Sequence, residues 1–313
     1  MTDFYGYNEE IINEIKKQGY NVTWFLDKIS VNYKDKLLNK IRKNHIDKKF
    51  DEHFYSCIEK VNGKNFDKIL IIFGGSFFKK KHIEILRQNF LNTEIVYYAW
   101  DSVNNFPLIE NLLLNADKAF SFDNIDAKKY NVNFLPLFYV SNKNEIDIPK
   151  YDVSTVMSFF VEKSSGLIEI LSILPKNLNN NIYLKLRDKI YYYKIKMFNN
   201  NKIKDLEKYF KFDKLSRNDV YNIFCDSKAI IDCPLPNQNG LTMRTFEVLA
   251  LKRKLITTNK NIKEYDFYSP DNIYIIEDDR EDIDVFLDTK FNENYKLDER
   301  YSLENFIKVL LNN

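Results

Sequence analysis

The stretch QNGLTMRTFEVLALKRKLITTN, running from Gln238 to Asn259, decides the fold. It follows Ser227-Lys-Ala-Ile-Ile-Asp232, whose small and β-branched residues predict a short buried strand. Asn239-Gly240 is a turn signal, and Gly240 permits close backbone approach to a ligand. Thr242 is placed to cap a helix from Met243 to Leu251, with Phe246, Leu249 and Ala250 on its apolar face. A second strand is predicted over Lys254–Thr257. The unit is therefore strand, loop, helix, strand. Free N–H groups at the helix start form an anion site, and Arg244 in the first turn offers a guanidinium fork to phosphate oxygens. Glu247 lies three residues on, along the same face. A cation and a carboxylate beside a helix N-terminus suit a ligand with both phosphate and hydroxyls, of which a nucleotide sugar is one. The same spacing also occurs as a plain amphipathic helix whose Arg–Glu pair is a solvated surface pair of little worth.

Working outward, the first half alternates helix and strand. Residues 8–18 read as a helix with Ile11, Ile12 and Ile15 on one face, and Asn21–Phe25 as a β-rich run. A helix over 46–61 precedes the continuous apolar strand Lys68–Phe73, which Gly74-Gly75-Ser76 stops before a helix over 80–91. That is a βα unit of a parallel sheet. Further strands are expected over Ile95–Trp100, Lys118–Ser121 and Phe134–Phe138, with helices at Leu108–Leu114 and Asp126–Tyr130 between them. Ser141–Lys150 is polar, lacks periodicity and reads as a linker. A second α/β run follows: a strand over Val153–Phe160, a helix over 165–174, a strand over Asn181–Leu186, then the opening signature. A last helix over 302–312 carries Phe306, Val309 and Leu310 on one face. Alternation of this kind implies α/β domains with sites at strand carboxyl ends.

At 313 residues the chain suits two domains, and its 44% hydrophobic content is ample for two cores. A net charge of +2 implies no nucleic-acid partner. No apolar run approaches a membrane span, and the start, MTDFYGYNEE, is too acidic for a signal peptide. Cys57, Cys225 and Cys233 lack metal-ligand spacing and read as buried thiols of a reducing cytoplasm.

Other motifs have a functional and a plain reading. Asp101, just after a strand, is the best candidate for a general base and equally suits capping the next turn. Gly75 could admit an acceptor to the backbone or simply turn the chain, and its surroundings are not a dinucleotide fingerprint. Asp282-Ile283-Asp284 has the form of a metal-binding DxD, yet its place predicts a helix N-cap, so no metal is expected. His45, His53 and His82 lie in polar, Lys-rich surroundings and read as surface residues. Lys79-Lys80-Lys81 reads as a solvated helix start, with contact to anionic headgroups as the other reading. The aromatic–basic segment Lys185–Lys196, with Arg187 and Tyr191-Tyr192-Tyr193, either brings a cation to a phosphate or forms an amphipathic helix face.

The signature resembles that of a bacterial glycosyltransferase-like family found with capsule, lipopolysaccharide and other surface-glycan genes and related to CgeB-type proteins. It is similar to the pattern QxGLTxRxxE followed by KLITTN over Gln238–Asn259. The likeness extends to Tyr97–Ser102, Phe134–Phe138, Tyr265–Tyr268 and Tyr301–Leu303. The resemblance implies a GT-B fold: two Rossmann-like domains with parallel sheets facing a cleft that holds the donor. It implies domains over 1–145 (acceptor) and 151–300 (nucleotide sugar), with 301–313 packing back on the first. In the broader retaining GT-B enzymes two glutamates eight positions apart contact donor sugar and ribose. Glu247 corresponds to the second, whereas Asn239 stands at the first, which leaves ribose binding by Glu247 and weakens the carry-over of the sugar-contacting role.

The expected activity is transfer of a sugar from a nucleotide-sugar donor to a surface-polysaccharide, lipopolysaccharide or lipid-linked glycan acceptor. Arg244, Glu247 and Asp101 are the catalytic candidates. Gln238, Asn239, Gly240, Thr242, Thr258, Asn259, Lys163 and Gly75 are the substrate-binding candidates, Lys163 by analogy with GT-B enzymes. No cofactor and no metal are expected, and the location is cytoplasmic, compatible with peripheral contact at the inner membrane face. A non-catalytic sugar-nucleotide-binding or assembly protein, and a transferase acting on a polypeptide, stay open as alternatives.

Overall fold

In the computed structural model, residues 6–27, 29–73, 77–140, 149–276, 282–292 and 294–312 are described. The chain divides into two compact units, residues 1–136 with 306–313, and residues 137–305.

The first unit begins with α1 (Tyr7–Lys17), α2 (Tyr33–Ile41) and α3 (His45–Glu59). Strands β1 (Lys68–Ile72), β2 (Glu94–Ala99), β3 (Lys118–Ser121) and β4 (Asn133–Phe134) then alternate with α4 (Lys80–Asn89), α5 (Leu108–Leu113) and α6 (Asn124–Tyr130). The strands form one parallel sheet in the order β1-β2-β3-β4. β2 is its core: Ile95 to Ala99 are almost fully excluded from solvent, as a parallel strand covered on both faces requires. Its two tyrosines satisfy their hydroxyls internally, Tyr97 donating to the Phe73 carbonyl at 2.6 Å and Tyr98 to the Leu135 carbonyl at 3.1 Å.

Three expectations for this unit are corrected. Asn21–Phe25 joins no ladder; together with β1 it borders an apolar cavity of about 710 Å³. β4 is two residues long rather than Phe134–Phe138: the Leu135 amide still donates to the Ser121 carbonyl, and Pro136 then has no N–H to continue the ladder. His82 is buried, not a surface residue. Its Nδ1 accepts from the Lys79 amide at 2.8 Å, its Nε2 lies 2.8 Å from Asp51 Oδ1, and its ring packs among Phe50, Phe54 and Phe78. Burial holds its pKa below the usual imidazole range, against the pull of Asp51.

The second unit contains β5 (Tyr151–Ser158), α7 (Ser164–Ile173), β6 (Asn180–Lys185), α8 (Lys189–Ile203), β7 (Phe210–Lys211), α9 (Arg217–Cys225), β8 (Ser227–Asp232), α10 (Met243–Ala250), β9 (Lys254–Thr257), β10 (Ile273–Ile275) and α11 (Ile283–Asp288). Its six strands are all parallel, in the order β10-β9-β8-β5-β6-β7. From β5 the chain winds outward through β6 and β7, then returns to the other side of β5 at β8. The carboxyl ends of β5 and β8 therefore flank a topological switch point, where the two adjacent loops leave in opposite directions and open a crevice. The last helix, α12 (Leu303–Asn312), carries the chain back to the first unit, where Phe306 sets its ring edge-on to Tyr98.

Candidate functional site

At the carboxyl edge of the six-stranded sheet lies a pocket of about 380 Å³, built from the segments that follow β5, β8 and β9. After β5, a 3-10 turn over Val161–Lys163 leads straight into α7, so Glu162, Lys163, Ser165, Gly166 and Glu169 reach the pocket. After β8 come Cys233 to Pro236 with Gln238 and Asn239, and after β9 Thr258 to Asn261. A group here is met at once by the N-terminal end of a ten-residue helix and two lysines, Lys163 and Lys260, and by two carboxylates, Glu162 and Glu169.

Gly166 sets how closely α7 approaches. A methyl group added at its Cα would lie 3.1 Å from Cys233 Sγ and 3.2 Å from Thr258 Cγ2. A side chain there would be tight, so Cys233 and Thr258 would have to give by a few tenths of an ångström for the first turn of α7 to keep its place on the ends of β8 and β9. The Cys233 thiol below it is buried, and that burial raises its pKa above the usual thiol range, so it stays protonated at neutral pH.

The loop between β8 and α10 is tied from the far side. Asn259 Nδ2 points at three carbonyls in succession, those of Gln238, Asn239 and Gly240, at 3.5, 3.3 and 3.4 Å. Asn261 Nδ2 adds the Asn239 carbonyl at 3.3 Å, while Asn259 Oδ1 accepts from the Asn261 amide and starts a 3-10 turn over Lys260–Glu264. Gln238 folds its own amide onto the Gly240 carbonyl at 3.1 Å. These side chains shape the loop as well as the pocket wall.

Behind the loop sits a buried polar node that joins two of the candidates, Thr242 and Arg244, to Asp232, which no local motif marks. Asp232, the last residue of β8, accepts from Thr242 Oγ1 at 2.6 Å, Thr245 Oγ1 at 2.8 Å and Arg244 Nη1 at 2.8 Å. Arg244 Nη2 donates to the Val156 carbonyl of β5 at 2.6 Å. One carboxylate thus joins β8, β5 and the first turn of α10. Thr242 occupies the N-cap position, but its hydroxyl serves Asp232 rather than a backbone amide of the helix. The Arg244 fork is likewise turned inward onto Asp232 and Val156.

The pocket gathers five of the candidates: Lys163, Gln238, Asn239, Thr258 and Asn259. Gly240, Thr242, Arg244 and Glu247 stand on the loop and helix behind it and are not among its lining residues. Glu247 is half-buried, with Oε1 3.9 Å from Arg217 Nη2. Asp101 belongs to the first unit, where its Oδ1 accepts from the Ser102 amide at 2.8 Å and Asn105 Nδ2 at 2.9 Å and closes its own turn. Gly75 lies outside the described residues. Asp282 caps α11 by accepting from the Asp284 amide at 3.4 Å. Among the described residues, no group of three or more His, Cys, Asp or Glu is placed to hold a metal ion. Glu169 and Lys260, which do line the pocket, sit in ordinary helical contexts in the sequence. Only the sheet order, which places their segments at the switch point, singles them out.

No family model matches the chain, and no curated protein matches it in sequence. Solved structures do match its fold. Sucrose-phosphate synthase from Thermosynechococcus elongatus aligns over 98% of this chain and 88% of its own, with 11% identity and a TM-score of 0.57. UDP-GlcNAc 2-epimerase from Methanocaldococcus jannaschii, in complex with UDP-GlcNAc and UDP, aligns over 97% and 95% with 12% identity and a TM-score of 0.53. HepE from Anabaena, in complex with UDP-glucose, aligns over 96% and 87% with 10% identity and a TM-score of 0.52. At such identities the likeness is one of fold: this chain has the GT-B architecture, two Rossmann-like α/β units each built on a parallel sheet.

Proposed function

We propose that this protein is a glycosyltransferase that takes its sugar from a nucleotide-sugar donor held in the pocket at the switch point of the second unit. The observation that carries the reading is the convergence there of Lys163, Lys260 and the α7 N-terminus with Glu162 and Glu169. The cationic groups suit a diphosphate, and the carboxylates accept hydrogen bonds from ribose or sugar hydroxyls. The pocket's volume falls within the range of about 300–1,000 Å³ usual for small-ligand sites. The aligned epimerase and HepE structures hold UDP-sugars, which favours the same ligand class here.

In this reading, Lys163 and the amides at the start of α7 stabilise the charge that develops on the departing diphosphate, while Gly166 lets those amides come close. Asn259 and Asn261 hold the loop over Gln238–Gly240 in the shape that meets the nucleotide. Arg244 acts as a positioning residue, fixing the start of α10 through Asp232, while Glu247, outside the pocket lining and 3.9 Å from Arg217, keeps the ribose role only as what the family resemblance implies. Asp101 stays the candidate for a general base, on its place just after a strand. The charge is met by protein groups, with no metal needed in this reading. The family-like segments, from Tyr97–Ser102 to Gln238–Asn259, favour a surface-polysaccharide, lipopolysaccharide or lipid-linked glycan as acceptor. They also favour the cytoplasm as the place of reaction.

The test is a release assay. Nucleoside diphosphate is measured from a panel of nucleotide sugars with glycan and lipid-linked acceptors, in the wild type and in Lys163→Met. Acceptor-dependent release from one donor, lowered at least about tenfold in the variant, is expected. Donor binding without release under any acceptor would transfer the reading to a non-catalytic sugar-nucleotide-binding protein.

A further inference from the structure

The aromatic–basic segment that includes Lys185–Lys196 takes no part in the pocket, and its structure has a use of its own. α8 is fixed to the second unit by Ile195 and Ile203, both buried, with Tyr191 and Tyr192 packed at the edge of the core. The opposite side carries Ile190, Tyr193, Met197 and Phe198, which are 78%, 67%, 71% and 68% exposed. Ile190, Tyr193 and Met197 recur at steps of three and four, so they form one stripe, and Phe198 lies beside it. All four precede Asn199, where the helical φ/ψ values break. Three large apolar side chains in one stripe and a fourth beside it, each about two-thirds exposed or more, exceed the scattered exposure that soluble surfaces carry.

The charges around the stripe say what covers it. Residues 185–204 contain seven Lys or Arg and one acid, Asp188. Arg187, Lys189, Lys194, Lys196, Lys202 and Lys204 are exposed around the apolar residues. Among the described residues the acidic groups near them are few: Asp188 pairs with Arg187, Glu207 pairs with Lys196, Glu162 lies near enough to act on Tyr191, and Asp205 is exposed beyond the helix end. Lys194 sits within the stripe itself. A second copy of the chain packed symmetrically on this face would set that lysine and its neighbours against their own equivalents, which like-charge repulsion opposes. An anionic bilayer surface reverses the sign: the apolar side chains enter the acyl boundary and the lysines reach the headgroups along flexible stems.

We infer that α8 is an interfacial helix that docks this protein on anionic lipid membranes through Ile190, Tyr193, Met197 and Phe198, ringed by lysines. The inference does not depend on the nucleotide-sugar reading, since none of these residues lines the pocket.

The test is flotation of the full chain with vesicles of phosphatidylcholine alone and of phosphatidylcholine with phosphatidylglycerol, at low and high salt. The wild type is expected to float with the anionic vesicles only, and less so at high salt. Met197→Glu, and independently Ile190→Glu, should lower the floated fraction about tenfold or more with the unfolding midpoint unchanged. Failure of the wild type to float with either vesicle overturns the inference, as does a Met197→Glu protein that floats like the wild type. A dimer seen in sedimentation velocity that both substitutions dissolve also overturns it, by assigning the face to self-association. Nucleotide binding by Met197→Glu serves as the control that separates this result from the fate of the pocket.

Discussion

At the scale of single residues, the second unit depends on Asp232. A buried carboxylate that receives two hydroxyls and one guanidinium nitrogen has its charge matched by short, charge-assisted bonds. Removing it leaves the Arg244 cation facing Val156 without a counter-charge. Asp232→Ala should therefore destabilise the chain by about 3 kcal/mol, the scale for breaking a buried pair from one side, as read from urea unfolding. Arg244→Lys should also lose stability, because one ammonium cannot serve both Asp232 and Val156 in the fork's geometry. The sequence points to Arg244 through its place beside a helix start, but it cannot say where the fork is directed. That depends on Val156, eighty-eight residues earlier, which only the β5–β8 pairing brings within reach. Lys163 is the reverse case: weakly marked in the sequence, yet set in the pocket wall because β5 ends beside the switch point.

At the scale of elements, the helix and strand boundaries around Gln238–Asn259 are legible because local rules agree with the tertiary environment. Ser227–Asp232 and Lys254–Thr257 are short apolar runs, and both are buried in parallel ladders. Asn21–Phe25 has the composition of a strand, but nothing local supplies a partner, and pairing is what defines one. α2 has no counterpart in the sequence pattern of apolar residues. It starts on an Asn32–Asp35 capping box and is held by Lys49, so its signal is polar and capping-based rather than periodic.

β9 also carries a titration that should be measurable. Lys254 is buried under the Phe286 ring and donates to the Phe286 carbonyl and Thr289 Oγ1, and burial lowers its pKa from 10.5 to about 8. Below that value the folded chain bears a poorly solvated ammonium. Between about 8 and 10.5 the unfolded chain binds more protons than the folded one, so this group's contribution to stability rises with pH. Wild-type unfolding should gain stability across that window relative to Lys254→Met, whose own curve should be flatter. Parallel curves would contradict the assignment.

At the scale of the whole molecule, the GT-B architecture explains why the site is dispersed in sequence. Three strands that end side by side, β5, β8 and β9, deliver residues from 162–169, 233–239 and 258–261 to one pocket. No single motif contains it. The Gln238–Asn259 signature names two of those three segments, and the resemblance it carries indicates the fold. The order β10-β9-β8-β5-β6-β7 then supplies the switch point, which local spacing could not. Sucrose-phosphate synthase and an epimerase share the architecture, so the fold alone does not choose the reaction.

Whether the switch-point pocket binds a nucleotide sugar is decided by calorimetric titration. Nucleoside diphosphates and their common sugar conjugates would be titrated into the wild type, Lys163→Met and Met197→Glu. One nucleotide class should bind the wild type and Met197→Glu alike and bind Lys163→Met about tenfold more weakly, the loss of one charge-assisted contact of about 1.5 kcal/mol. Binding to none of them, or equal affinity in Lys163→Met, would contradict binding at this pocket.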